Sequence, residues 1–101
     1  MSTTKVIRYQ TRPESADENQ RLIEAVFAEL AQTQPDGVQY AALRLDDGVS
    51  FVHVVQLAGA DNPLGSIAAF GQFQADLGAR IAEGPAAADG TVVGSYRLFG
   101  G

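Results

Sequence analysis

One histidine, His53, is the single side chain of this 101-residue sequence that titrates near neutrality without help, and it is therefore the candidate general base. Its neighbours follow from a turn. The segment VQYAALRLD, an Asp47-Gly48 pair and the segment VSFVHVVQL read as a hairpin, with a two-residue type I′ loop expected because aspartate and glycine tolerate positive φ. Pairing Asp46 with Val49 sets Ala42 opposite His53, Arg44 opposite Phe51, Tyr40 opposite Val55 and Val38 opposite Leu57. One face then carries Tyr40, Arg44, Phe51 and His53 together. A base, a cation and a phenolic donor over an aromatic surface suit removal of a proton and stabilisation of the resulting anion. The alternative for His53 is a buried histidine satisfied by hydrogen bonds at a dimer interface.

Other candidates are less specific. Phe70 and Phe73 either line a pocket between a helix and the sheet or are plain core at helical spacing. Arg97 shares its parity with Val93, Ser95 and Phe99 and so faces either an interior or, on an edge strand, solvent. Absence of cysteine removes thiolate nucleophiles and zinc–thiolate sites, and a lone histidine removes a histidine-rich metal centre within one subunit, so no metal or cofactor is expected. There is no glycine-rich phosphate loop, G-x-S-x-G elbow or H-E-x-x-H helix. Asp46-Asp47 is explained by the turn and Asp17-Glu18 by a helix start.

The elements that position these residues are legible in order. Lys5 to Arg12 alternates as a first strand and Pro13 ends it. Ser15-Ala16-Asp17-Glu18 has the form of a capping box, and Leu22, Ile23, Val26, Phe27 and Leu30 give the helix that follows an apolar stripe as far as the Gln34-Pro35-Asp36-Gly37 stop. After the hairpin, Asn62-Pro63 starts a second helix with Ile67, Phe70, Phe73, Leu77 and Ile81 on its buried side, and Asp76 and Arg80 are placed to pair at i, i+4 on its wet side. Gly71, Ala75, Gly78 and Ala82 form a smooth side, which is either tolerated weakness or a place of close approach. Gly84-Pro85 is expected to stop this helix near Glu83, Ala86 to Gly90 to be a flexible connection, and Thr91 to Phe99 to form the last strand.

The order strand, helix, strand, strand, helix, strand predicts a single α+β domain over residues 1–101, a ferredoxin-like βαββαβ antiparallel sheet with two helices on one face. Two helices cover one face only. The aliphatic side with Ala41, Leu43, Leu45, Val52 and Val54 is expected beneath the helices, leaving Tyr40, Phe51, Val55 and Leu57 for a second subunit, so a homodimer through the sheet face is expected. Net charge of −5 without a basic cluster argues against nucleic acid and anionic membranes as partners. Without a signal-peptide core or a membrane-length apolar run, a cytoplasmic location is expected.

This layout from Lys5 to Phe99, with the segments IAAFGQFQADLGARI and VVGSYRLF, resembles the dimeric α/β-barrel superfamily and within it the antibiotic biosynthesis monooxygenase-like domains. The resemblance implies a dimeric α/β barrel and, as one function, a cofactor-independent monooxygenase acting on an aromatic or polyketide-like small molecule. It equally admits a non-catalytic homodimer that binds a small ligand or supports a partner. The tryptophan beside an asparagine used by several such oxygenases has no counterpart here, because the chain has no tryptophan, and the histidine that binds iron in haem-degrading members lies on a helix rather than on an expected strand. No catalytic residue is carried over from the resemblance.

Overall fold

The computed structural model describes residues 3–59 and 62–97. Strand β1 (Thr3–Thr11) leads through a 3-10 turn at Pro13–Ser15 into helix α1 (Ala16–Thr33). Strands β2 (Val38–Arg44) and β3 (Ser50–Leu57) follow, then a 3-10 turn at Pro63–Ser66, helix α2 (Ala68–Ala75), the short helix α3 (Leu77–Arg80) and strand β4 (Ile81–Gly90). The four strands are antiparallel in the order β2-β3-β1-β4, the ferredoxin-like arrangement, with the helices on one face. None of the described helices is long and apolar enough to cross a membrane.

The hairpin register is the expected one, with Ala42 opposite His53, Arg44 opposite Phe51 and Tyr40 opposite Val55. Its loop is wider than a two-residue turn. The last cross-strand bond is from Leu45 N to Ser50 O at 2.8 Å, and Gly48 N closes the turn onto Leu45 O at 3.0 Å. Gly48 alone takes positive φ, +79°. Asp47 keeps negative φ because its carboxylate is employed locally, accepting from Val49 N at 2.9 Å and Ser50 N at 2.8 Å and from the Ser50 hydroxyl.

The two sheet faces are exchanged relative to the expectation. Tyr9, Phe51, His53, Val55 and Leu57 are buried beneath the helices, whereas Val6 and Leu43 are exposed on the other face, beside half-buried Ala41, Val52 and Val54. Both faces are apolar in pattern, so periodicity cannot choose between them. Large rings fill the gap between sheet and helices, and the buried Tyr9 hydroxyl meets a partner, Asn19, that α1 supplies.

Three local expectations also change. Ser15 makes no capping bond, since Pro13 starts the helical path one turn earlier and leaves Ser15 in helical backbone at φ −105°, ψ −5°. Helix α2 is capped from outside its own segment, the Glu29 carboxylate of α1 accepting from Ala68 N at 3.1 Å and Ala69 N at 2.9 Å. Arg80 is not on the wet side paired with Asp76; it is buried, 3% exposed, and bonded inward. Around Gly71 and Gly78 there is open space, so the smooth side of this helix meets no other backbone.

The largest correction concerns the C-terminal third. The helix stops at Arg80, whose carbonyl accepts from Arg12 N at 2.8 Å, and the segment read as helix end and flexible connection is strand β4 itself. It pairs Ala86 with Arg8, Ala87 with Ile7 and Ala88 with Val6. Pairing with the open edge of β1 outweighs the weak strand preference of alanine. Pro85 is accommodated because β4 is an edge strand and the ladder slips between Arg8 and Gln10, where Gly84 takes φ +93° against the β1 backbone. A Cβ on Gly84 would come within 3.0 Å of Arg8 O. Thr91–Arg97 forms no regular element and is exposed, and the remainder of the expected last strand, through Phe99, lies outside the described residues.

The exchange of faces has a direct test. Phe51 is 1% exposed, so Phe51→Ala is expected to lower the unfolding free energy by about 3–5 kcal/mol, measured by urea denaturation.

Candidate functional site

The centre of the core is a hydrogen-bonded line of polar side chains drawn from five elements. His53, on β3, lies between two tyrosines. Its Nε2 is 2.9 Å from the hydroxyl of Tyr9 on β1, and its Nδ1 is 2.6 Å from the hydroxyl of Tyr40 on β2. The register makes this unavoidable, because β3 is the inner neighbour of both β1 and β2, with Ile7 and Ala42 directly opposite His53. Tyr9 and Tyr40 stand one pleat away on the same face. From the helices, Asn19 Nδ2 donates to the Tyr9 oxygen at 2.9 Å, and Arg80 Nε donates to Asn19 Oδ1 at 3.0 Å. Arg80 Nη2 also donates to the Phe73 carbonyl at 2.6 Å, and its guanidinium lies 5.3 Å from the centre of the Phe73 ring.

Aromatic rings enclose the line. Tyr9 stacks on Phe51 with centroids 5.6 Å apart, and His53 packs on Phe73 at 5.6 Å. Tyr40 touches Phe27 of α1 at 4.8 Å and stands edge-on to Phe70 of α2 at 6.5 Å. Burial decides the proton affinities here. It pulls His53 down to about 4, so the imidazole is neutral at neutral pH. Burial likewise pushes Tyr9 up to about 12, against a smaller opposing effect of the Asn19 hydrogen bond, and raises Tyr40 further. Both phenols therefore stay protonated.

Two clefts flank this line. One, of about 390 Å³, opens between the sheet and α2; Ile7, Val55, Leu57, Leu64 and Phe70 form its apolar wall, and Lys5, Asn62 and Gln74 bring polar groups to it. Phe70 is shared between this cleft and Tyr40. The other, of about 260 Å³, lies between α1 and the hairpin and is lined by Phe27, Ala42, Arg44 and Phe51. No group of three or more acidic or histidine side chains among the described residues is arranged to hold a metal ion.

Of the residues singled out from the sequence, His53, Tyr40, Phe70 and Phe73 are brought together. Phe51 joins them through Tyr9, as a fully buried ring. Arg44 is held elsewhere: it donates to Gly48 O at 2.9 Å, Asp17 Oδ1 at 3.0 Å and Gln20 Oε1 at 2.7 Å, tying the hairpin end to the start of α1. Arg97 lies in the exposed segment after β4 with its guanidinium over Tyr96, not on a strand facing an interior. His53 is buried as the alternative reading required, within one protomer and by intramolecular bonds. With both ring nitrogens engaged, it reaches a ligand only through a tyrosine.

Sequence reasoning missed Tyr9, Asn19 and Arg80 as members of the site. A signal existed. Asn19 sits one turn before Ile23 on the buried stripe of α1, and Arg80 lies a turn after Leu77, so each is a polar residue at an apolar position.

No family model matches the chain, and no curated protein matches it. Solved structures do share its fold. SnoaB, a cofactor-independent oxygenase from Streptomyces nogalater, is 17% identical, with 93% of this chain and 95% of that one covered and a TM-score of 0.67. The Rv0793 protein of Mycobacterium tuberculosis is 16% identical over 94% of this chain and 98% of its own, with a TM-score of 0.71. A Caulobacter crescentus protein described as a candidate antibiotic biosynthesis monooxygenase is 20% identical over 92% and 91%, with a TM-score of 0.73. The fold is thus that of the antibiotic biosynthesis monooxygenase-like α+β proteins.

A histidine kept neutral by burial links stability to pH. Its folded pKa, about 4, lies below the ordinary value of 6.5, so the unfolded chain binds more protons between those limits and the fold loses stability as pH falls through them. From pH 6.5 to pH 5 this amounts to about 1.5 kcal/mol. Urea titrations at the two pH values are expected to show that loss in the wild type and to show little of it in His53→Gln.

Proposed function

We propose that this protein is a small cofactor-independent monooxygenase-like enzyme acting on an aromatic or polyketide-like phenol, and that it works as a homodimer. The observation that carries the reading is the Tyr9–His53–Tyr40 arrangement under Phe70 and Phe73, next to an apolar cleft of about 390 Å³. The cleft has the size and lining of a small-molecule site. In this reading a planar ligand in the cleft lies along Phe70, whose ring stands edge-on to Tyr40, the member of the line that is only half-buried. The likeness in fold to SnoaB supports the choice of chemistry.

The reaction needs no bound redox group. A methylene flanked by aromatic rings becomes a carbonyl and gives up four electrons to dioxygen; one oxygen atom enters the carbonyl and the other leaves as water. The protein's share is to hold the ring, to exclude water from it and to stabilise the phenolate that reacts. Tyr40 meets the ligand oxygen, and His53 acts behind it. Phe73 and Phe51 shape the aromatic layer, whereas Arg44 and Arg97, engaged elsewhere, have no part in it. A second reading, a non-catalytic dimer that binds a small ligand or supports a partner, is favoured by the complete enclosure of His53.

The dimer now rests on the opposite face from the one expected. Across the sheet, Ala88, Val6, Val54 and Ala41 form one apolar row, and the next, Ala86, Arg8, Val52 and Leu43, is apolar apart from Arg8. Thr4, Gln56 and Gln39 border these rows on one side and Gln10 and Ser50 on the other. An apolar centre with a polar rim is the composition of a subunit interface, and two such sheets pack face to face into a barrel. The chain's acidic composition suits the cytoplasm.

Two measurements test this. With reduced polycyclic phenols such as anthrones, oxygen uptake is expected from the wild type and is expected to fall at least tenfold, about 1.4 kcal/mol of barrier, in Tyr40→Phe. No uptake with any such phenol by a folded wild type would favour the non-catalytic reading. Light scattering is expected to give twice the chain mass of 10.6 kDa for the wild type and the monomer mass for Val6→Asp, and a monomeric wild type would remove the sheet-to-sheet dimer.

A further inference from the structure

The polar line in the core has only one direction in which its protons can be arranged, and the direction is set at its far end by a residue that never meets the ligand. Arg80 carries donors only. The atom of Asn19 that faces it must therefore be the amide oxygen, which turns the amide nitrogen, again a donor, onto the Tyr9 oxygen. Tyr9 accepts that bond, and among the described residues its own proton has one acceptor within reach, His53 Nε2 at 2.9 Å. Were Nε2 protonated, the Tyr9 proton would be stranded in the core, at a cost of roughly 1–3 kcal/mol. Nε2 is therefore bare. The imidazole proton sits on Nδ1 and is donated to the Tyr40 oxygen at 2.6 Å. Tyr40, having accepted, holds a hydroxyl proton for which no acceptor exists among the described residues.

We infer that Arg80 and Asn19 are positioning residues that fix His53 as the Nδ1–H tautomer and so make Tyr40 a hydrogen-bond donor toward an anionic oxygen of the ligand. The inference rests on the reading of the Phe70 cleft as an aromatic-ligand site, and it alters the role of His53 within that reading. His53 does not take the ligand's proton. It donates to Tyr40, as Tyr9 donates to it, and every bond in the line points from the buried guanidinium toward the ligand. Bonds aligned in this way strengthen one another in a medium of low dielectric, and the end of the line is an oxyanion donor. The site therefore selects an aromatic molecule whose hydroxyl is acidic enough to be bound already ionised, such as an enol conjugated to a carbonyl, over its neutral parent.

The chain contains a single histidine, so imidazole ¹⁵N shifts report one residue without assignment. The wild type is expected to show a protonated Nδ1 and a bare Nε2. Asn19→Asp keeps the size of the side chain and gives Arg80 a carboxylate, but that carboxylate accepts from Tyr9 instead of donating to it. The line then reverses, and the tautomer is expected to switch to Nε2–H. Tyr40→Phe leaves the Arg80 end untouched and is expected to keep Nδ1–H. As binding probes, the anion of 2-hydroxy-1,4-naphthoquinone and neutral 1,4-naphthoquinone differ by the one oxygen in question. A preference of at least about tenfold for the anion, the worth of one charge-assisted bond, is expected in the wild type and is expected to be lost in both variants. An Nε2–H tautomer in the wild type, or an unchanged tautomer in folded Asn19→Asp, overturns the inference; should that variant fail to fold, the wild-type and Tyr40→Phe tautomers decide. The Nδ1–H tautomer with no preference for the anion overturns the donor role. If neither quinone binds while the tautomers behave as stated, the aromatic-ligand reading fails and the direction of the line stands.

Discussion

A neutral histidine held in the core between two tyrosine hydroxyls is the constraint on which this structure turns. Polar groups at that depth are tolerated only when each has its partner. The partners come from five separate elements: Tyr9 from β1, Asn19 from α1, Tyr40 from β2, His53 from β3 and Arg80 from α3. A one-residue slip of β3 would turn His53 to the open face and leave both tyrosines unsatisfied, so the line specifies register as well as chemistry. It also accounts for the burial of Arg80 at the junction where α3 ends and β4 begins. There the Arg80 side chain reaches Asn19 while its carbonyl receives Arg12 N, and a single residue joins the polar core to the edge of the sheet.

The two faces of the sheet divide the work. On the helix side, rings of Tyr9, Phe51, Phe73, Phe70 and Phe27 surround the polar line and reach the cleft beside α2. On the other side, small and aliphatic residues, with Arg8 among them, form two rows with polar borders. Arg44 lies on the helix side but outside the polar line, its contacts to Gly48, Asp17 and Gln20 bracing the hairpin against α1.

Similarity to solved structures at 16–20% identity establishes the fold of this chain and leaves its chemistry to be argued from its own residues. Those residues place the Tyr40 phenol at the half-buried end of the line and leave the imidazole with both nitrogens engaged. Behind the Tyr40 phenol stand a neutral imidazole and, three further hydrogen bonds on, the Arg80 guanidinium. Under the proposed function, such an arrangement stabilises charge on a ligand oxygen rather than removing a proton with a free base, which suits an electron-rich anion reacting with dioxygen.

The sequence by itself determined what depends on neighbours along the chain. The Gln34–Gly37 stop, the hairpin register through Val38–Leu57, the helical stripe of α1 and the antiparallel βαββ order all follow from local spacing and turn residues. That His53 and Tyr40 share a face was legible for the same reason. What only the tertiary structure decided is which face the helices cover, because apolar alternation on both sides of β2 and β3 carries no sign, and ring volume together with partners for buried polar atoms made the choice. It also decided that Ile81–Gly90 is a strand, since the open edge of β1 supplies hydrogen bonds that outweigh a local Gly-Pro stop. Helical spacing marked Asn19 and Arg80 as polar residues at apolar positions, but that they meet each other and Tyr9 was decided by the fold alone, because a buried polar residue is defined by the partner it finds across the fold and no spacing along the chain records that partner.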